Sequence, residues 1–247
     1  MSALPRLVVV GGHGKVALHF ARLAAPSFHV TSLIRNPAHV DDITSRGATP
    51  KELSIEDASV EQLAEAFEGA QGVLFSAGAG GKGGKERTKK VDEEGAMKVF
   101  DAIERLPDPK PKLVLVGAID TRDVSKPPPS RYTEKDIEES KKAHEAIGAY
   151  YDAKLAADQN LHARTSFPWI ILRPGHLKDD APTGKVQLGR TTFGSITRED
   201  VAATLLALFQ LPREAGTGLA LDLVQGETEI EQAVKEAVER GESDWIA

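Results

Sequence analysis

Leu7-Val8-Val9-Val10-Gly11-Gly12-His13-Gly14-Lys15-Val16-Ala17 is the stretch on which the reading of this chain turns. Four apolar residues run into a cluster of glycines, and a helical pattern follows, with Val16, Phe20, Leu23 and Ala24 on one face. An uninterrupted apolar run bounded by glycine is the mark of a strand buried on both faces of a parallel sheet. The turn satisfies two versions of one fingerprint, Gly12-x-Gly14-x-x-Ala17 and Gly11-x-x-Gly14-x-x-Ala17. Small residues are needed there because a pyrophosphate must approach backbone N–H groups at a helix N-terminus, where a Cβ would stand in its way. A plain βα turn carries glycines too. The strand before and the helix after weight the reading towards a dinucleotide site built from Gly11, Gly12, His13, Gly14, Lys15 and Val16.

Working outward, short β-rich runs alternate with helix-period segments along the whole chain, the βαβ pattern of a parallel sheet. Strands are expected at 29–34, 49–53, 72–76, 113–116, 169–172 and 219–224. Helices are expected at 37–46, around Leu63 and Phe67, at 89–106, at 133–163, after Thr197, and after a Thr228/Glu231 capping box. The expected architecture is a doubly wound, mainly parallel Rossmann-type α/β fold. It forms a single NAD(P)-binding domain over residues 1–247, in which 176–247 supply a small substrate-side extension.

The 247 residues suit one large domain, and the chain has no cysteine, which excludes disulfides, thiolate nucleophiles and cysteine-held metals. A net charge of −6 argues against nucleic acid as a partner. No apolar run reaches the length of a signal peptide or membrane span, so the expectation is a cytoplasmic protein that does not meet a membrane. The seven histidines (13, 19, 29, 39, 144, 162 and 176) show no metal-ligand spacing, and no metal is expected.

The end of the second strand reads Arg35-Asn36-Pro37. An acidic residue there would accept from ribose hydroxyls, whereas an arginine pairs with a 2′-phosphate, so NADP(H) is expected in preference to NAD(H). The glycine- and lysine-rich stretch 77–90 is not a P-loop. Gly78 and Gly83 have the right separation, but Gly84 stands where lysine is required. It reads as a flexible loop whose first part, Ser76-Ala77-Gly78, lies against the cofactor. Tyr150 and Lys154 are four apart on one helix and share a face. A lysine beside a phenol favours the phenolate, and such a tyrosine can exchange a proton with a carbonyl.

Taken together these segments resemble the short-chain dehydrogenase/reductase superfamily, and more narrowly its atypical NmrA-like and flavin-reductase-like branch. The resemblance rests on the glycine turn, on Leu33-Ile34-Arg35-Asn36 and on Phe75-Ser76-Ala77-Gly78. It continues in Tyr150-Tyr151-Asp152-Ala153-Lys154 with Asp158, in Arg173-Pro174-Gly175, and in Ile196-Thr197-Arg198-Glu199-Asp200-Val201-Ala202. It implies Tyr150 and Lys154 as the catalytic pair, Lys154 also on the ribose, and Pro174 and Gly175 beside the nicotinamide. Two departures accompany it. Ser54-Ile55 holds the place of an aspartate that meets the adenine. After the fifth strand the chain reads Val116-Gly117-Ala118-Ile119-Asp120, with only Thr121 to replace a catalytic serine or threonine. An NADPH-dependent oxidoreductase acting on a small carbonyl or quinone-like substrate, and a non-catalytic NADP(H) sensor with a regulatory protein partner, are both open at this point.

Overall fold

A computed structural model describes residues 3–80 and 83–244. The first half winds as β1 (Arg6–Val10), α1 (Lys15–Ala24), β2 (His29–Ile34), α2 (Val40–Ser45), β3 (Thr49–Glu52), α3 (Val60–Phe67), β4 (Gly72–Phe75), α4 (Gly84–Thr88), α5 (Gly95–Glu104) and β5 (Lys112–Val116). The second half adds α6 (Glu134–His162), β6 (Trp169–Pro174), β7 (His176–Lys178), β8 (Lys185–Gly189), β9 (Ser195–Thr197), α7 (Arg198–Gln210), β10 (Leu219–Gln225), β11 (Thr228–Glu229) and α8 (Ile230–Arg240).

Among the described residues one nine-stranded sheet runs β11-β8-β10-β6-β5-β4-β1-β2-β3, parallel from β10 to β3, with β8 antiparallel to both of its neighbours. Strand alternation sends Leu7 and Val9 into a core under α1, α7 and α8. It sends Val8 and Val10 into a second core under α3, α5 and α6. The strand order reverses between β1 and β4, which is where an open α/β sheet forms its binding crevice. The Rossmann-type reading therefore holds, and the expected strands lie within a residue or two of those observed.

Three local expectations change. The stretch after Gly80 is a loop only in part: Gly84–Thr88 is helical and passes through a π-helical segment, Lys89–Glu94, into α5. The helix over 133–163 is present as α6 but is kinked at Ile147 (φ −133°, ψ 37°), immediately before Gly148, a residue with little cost to leaving helical geometry. Thr228 does not cap the last helix. It pairs with Val186 in β11, and Glu229 takes the N-cap position without a side-chain bond. By contrast Thr197 caps α7, accepting from the Asp200 N–H. Residues 176–247 also contain β7, β8 and β9, short strands without the periodicity that sequence reading relies on.

Candidate active site at the sheet switch point

The glycine turn leaves β1 with Gly11 at φ +81°, a conformation open to glycine at little cost. A Cβ on Gly11 would lie 2.6 Å from the Ala77 Cα, and one on Gly12 would lie 2.5 Å from the Ser32 Cβ. These two glycines let β1, β2 and β4 close up. Gly14 differs: a Cβ there would meet nothing nearer than 3.4 Å, so its bareness keeps open the face at the start of α1. Gly14 is the N-cap of α1 and supplies no side-chain cap, and no acidic residue occupies the first turn. The first N–H groups of α1 thus point at open space, the arrangement that receives a phosphate.

Two clefts meet at this turn. The smaller is lined by Gly11, Gly12, His13, Gly14, Arg35, Ser54, Ile55, Ser76, Ala77 and Gly78, among others. The larger, about 1280 Å³, continues past Lys15 and Val16 to Tyr150, Lys154, Pro174 and Gly175. All but one of the site residues expected from sequence are brought together here. The exception is Asn36, whose side chain accepts from the Ala38 N–H at 3.0 Å and caps the turn Pro37–His39.

In the smaller cleft the Arg35 Nη1 donates to Glu56 Oε1 at 2.7 Å, and Arg87 of α4 donates to the same oxygen at 2.9 Å. The two guanidiniums hold the Glu56 carboxyl below the usual carboxylate range: the bond from Arg87 is the largest effect, burial opposes it, and Arg35 adds to it. His13 stacks on His39 with ring centroids 3.5 Å apart and pairs with Asp42 at 2.7 Å. Lys15 is drawn to Asp179 at 2.7 Å, and Asp179 also receives Arg198 at 2.8 Å. Neither Glu56 nor Arg87 gives any sign of its role in the sequence, because three separate loops converge only in the fold.

At the floor of the larger cleft, Lys154 is almost wholly buried. Its ammonium donates to the Val116 carbonyl at 3.1 Å and pairs with Asp92 at 3.1 Å. Asp92 is itself buried, carried inward on the π-helical segment, and its other oxygen accepts from the Ala79 N–H at 3.0 Å. π-Helical segments of this kind recur at functional sites. Burial works against the Lys154 charge, but Tyr150, Asp92 and Asp158 outweigh it and raise the pKa, so the group is a fixed cation.

The Lys154 ammonium lies 5.5 Å from the Tyr150 ring centroid, as the helical spacing requires. The expected acidification of Tyr150 does not follow. Burial raises the phenol's pKa and outweighs the opposing pull of Lys154, and Asp92 and Asp158 push it further up. Tyr150 is therefore a proton-bearing group at neutral pH, a donor rather than a phenolate.

Thr121 does not replace the missing serine. Its hydroxyl is buried, donates to the Ala118 carbonyl at 2.7 Å, and is absent from the cleft lining, to which the end of β5 contributes Val116 and the loop after it Gly117, Ala118 and Ile119. Beneath the site, Arg173 reaches Asp158 at 2.8 and 3.1 Å and the Asp244 carbonyl at 3.0 Å. This buried pair ties the end of β6 to α6 one turn after Lys154. Gly175 then bends into the cleft wall, where a Cβ would lie 2.3 Å from the Gly194 carbonyl oxygen. Among the described residues, no group of three His, Asp or Glu side chains is placed to hold a metal ion. No helix among them is long and apolar enough to cross a membrane.

A crevice at the switch point of a parallel sheet, floored by a glycine turn and with a Tyr/Lys pair on its far wall, is the arrangement of an NAD(P)H-binding α/β domain. The chain belongs to the NAD(P)H-binding family, which it matches over residues 11–212. It is 42% identical over 243 residues to UPF0659 protein C216.03 of Schizosaccharomyces pombe, covering 96% of this chain and 97% of that one. It is 28% identical to a Bacillus subtilis protein named as an uncharacterized sugar epimerase, YhfK, over 93% of this chain and 99% of that one. Among solved structures it superposes on the oxidoreductase ylbE from Lactococcus lactis with a TM-score of 0.78 at 22% identity, covering 95% of this chain and 97% of that one.

Proposed function

We propose that this protein is an NADPH-dependent reductase of a small carbonyl or quinone-like substrate. The observation that carries the reading is the Tyr150/Lys154 pair on the wall of a cleft continuous with the glycine cradle. Gly11 to Val16 and Ser76 to Gly78 would hold the dinucleotide, with Pro174 and Gly175 at its nicotinamide end. When bound, the dinucleotide supplies a hydride. Tyr150 delivers its proton to the carbonyl oxygen, and the buried Lys154 charge stabilises the phenolate left behind. Lys154 donates one N–H to the Val116 carbonyl and faces Asp92 as an ion pair, and a remaining N–H would meet a ribose hydroxyl.

The preference for NADPH rests on Arg35, whose side chain is 55% exposed at the mouth of the smaller cleft. A 2′-phosphate would compete with Glu56 for this guanidinium. Charge-assisted bonds of this kind contribute about 1.5–3 kcal/mol, so Arg35→Ala should lower the NADPH/NADH affinity ratio roughly 10- to 100-fold. An unchanged ratio in a fluorescence titration refutes the preference.

A second reading, a non-catalytic NADP(H) sensor of NmrA-like type that docks a protein partner, draws support from the withdrawn Thr121 hydroxyl. A panel of carbonyl substrates separates the two. Turnover by the wild type that Tyr150→Phe loses supports the reductase, and NADPH binding without turnover supports the sensor.

A further inference from the structure

We infer that Tyr151 is a second hydrogen-bond donor to the substrate's carbonyl oxygen, replacing the hydroxyl that the loop after β5 withholds. This inference rests on the reductase reading and assigns it a further catalytic residue.

Tyr151 neighbours Tyr150 on α6, and the helical spacing sets Leu155, not a lysine, four residues on. By register alone it belongs to the wrong face. The fold overrides this. Both tyrosines line the larger cleft, with ring centroids 5.7 Å apart and planes at 74°. Neither phenol makes a hydrogen bond to another group among the described residues, and neither hydroxyl is sealed from solvent. Two unused O–H groups thus open into one cleft beside the cofactor cradle.

The Tyr151 ring is held from behind. It stacks on His144 with centroids 4.0 Å apart and planes at 24°. His144 Nε2 lies 3.1 Å from the Asp120 carboxylate, which also accepts from Ser140 at 2.6 Å and Arg122 at 2.8 Å. Asp120 is the described non-glycine residue with a positive φ, 60°. Such a backbone is sparsely populated and persists where its surroundings enforce it. The segment that presents a hydroxyl in the resembling family here turns Asp120 away from the cleft and clamps the imidazole under Tyr151. Preorganised donors aimed at a developing oxyanion need this kind of rigid support. Burial, Asp120 and Tyr150 all raise the Tyr151 pKa, so its proton stays in place at neutral pH.

In the step itself the carbonyl carbon gains a hydride and its electron pair, and the C=O π pair moves onto oxygen. Oxygen takes the Tyr150 proton to give the alcohol, and solvent returns a proton to Tyr150. Tyr151 keeps its proton throughout and donates only a hydrogen bond.

The test uses the full chain as wild type, Tyr151→Phe and Tyr150→Phe, with unchanged melting temperatures as the control. Phenylalanine keeps the stack on His144 and removes only the hydroxyl. Two measurements are made: NADPH-dependent reduction of 9,10-phenanthrenequinone and a panel of aromatic aldehydes, and the absorption of 4-(dimethylamino)cinnamaldehyde bound without cofactor. That probe's absorption moves to the red when its carbonyl accepts hydrogen bonds. Tyr151→Phe should lower kcat about 100-fold with little change in KM, the effect of losing one oxyanion donor, and should reduce the red shift. Wild-type kcat and an undiminished red shift in Tyr151→Phe overturn the assignment, and the reductase reading survives if Tyr150→Phe is still inactive. Absence of any carbonyl turnover by the wild type overturns both.

Discussion

Lys154 and Asp92 form an ion pair almost out of reach of water, and breaking it from either side has a calculable consequence. At 3.1 Å the Coulomb attraction is about 5 kcal/mol for an effective dielectric constant near 20. Most of that offsets the cost of taking both charges out of water, so the pair's net worth is small, whereas a lone survivor is expensive. Asp92→Asn strands an ammonium that keeps only the Val116 carbonyl as partner, and weakens the acceptor for the Ala79 N–H. Lys154→Met strands a carboxylate. Each single change should cost about 3–5 kcal/mol of stability. The double variant, with no buried charge left at this point, should cost far less than their sum, a coupling of about 3 kcal/mol or more. Urea denaturation of the four proteins, read by circular dichroism, measures the cycle. Additive single costs would refute the pairing as the reason both residues are buried. Cofactor titration adds a second axis, since every variant lacking the ammonium should bind dinucleotide more weakly than its parent.

Gly175→Ala sets a Cβ 2.3 Å from a backbone oxygen of Gly194, where no side chain can yield. It should destabilise the fold by about 1–3 kcal/mol, seen as a lower urea midpoint, and disturb the cleft wall at Pro174 and Gly175. Gly14→Ala, which meets no such obstacle, should fold normally and lose dinucleotide affinity in a fluorescence titration. Lys112 is buried, donates to the Leu208 and Ala215 carbonyls, and has its pKa lowered by burial to about 8. Because the unfolded chain binds that proton more tightly, Lys112 costs stability below pH 8, and the cost disappears as pH rises towards 10.5. Relative to Lys112→Met, the wild type should therefore gain about 3 kcal/mol across that window, followed by denaturation at a series of pH values.

The glycine turn, the strand runs and the Tyr150/Lys154 spacing were legible in the sequence because each is a local device. A tight turn needs bare backbone, a buried strand needs an unbroken apolar run, and one helix face is set by a spacing of four. Local spacing also has limits, as α6 demonstrates. Register set Tyr151 apart from Tyr150, yet both line the larger cleft. The acidity of Tyr150 went the other way from the pair rule because burial, which no spacing reports, outweighs the neighbouring lysine. Asp92, Glu56 and Arg87 carried no signal at all, since charged residues within a polar stretch look alike until a fold buries one of them.

The sequence by itself therefore determined that this chain makes a parallel α/β sheet with a dinucleotide turn after its first strand, since both follow from backbone sterics and the period of apolar residues. Tertiary structure alone decided which charges face one another. It brought Asp92 to Lys154 across 62 residues and Asp158 to Arg173 beneath them. It also turned Asp120 from the cleft to the imidazole behind Tyr151. Such pairings depend on desolvation and on the meeting of distant segments, and neither is written in any local window of the chain.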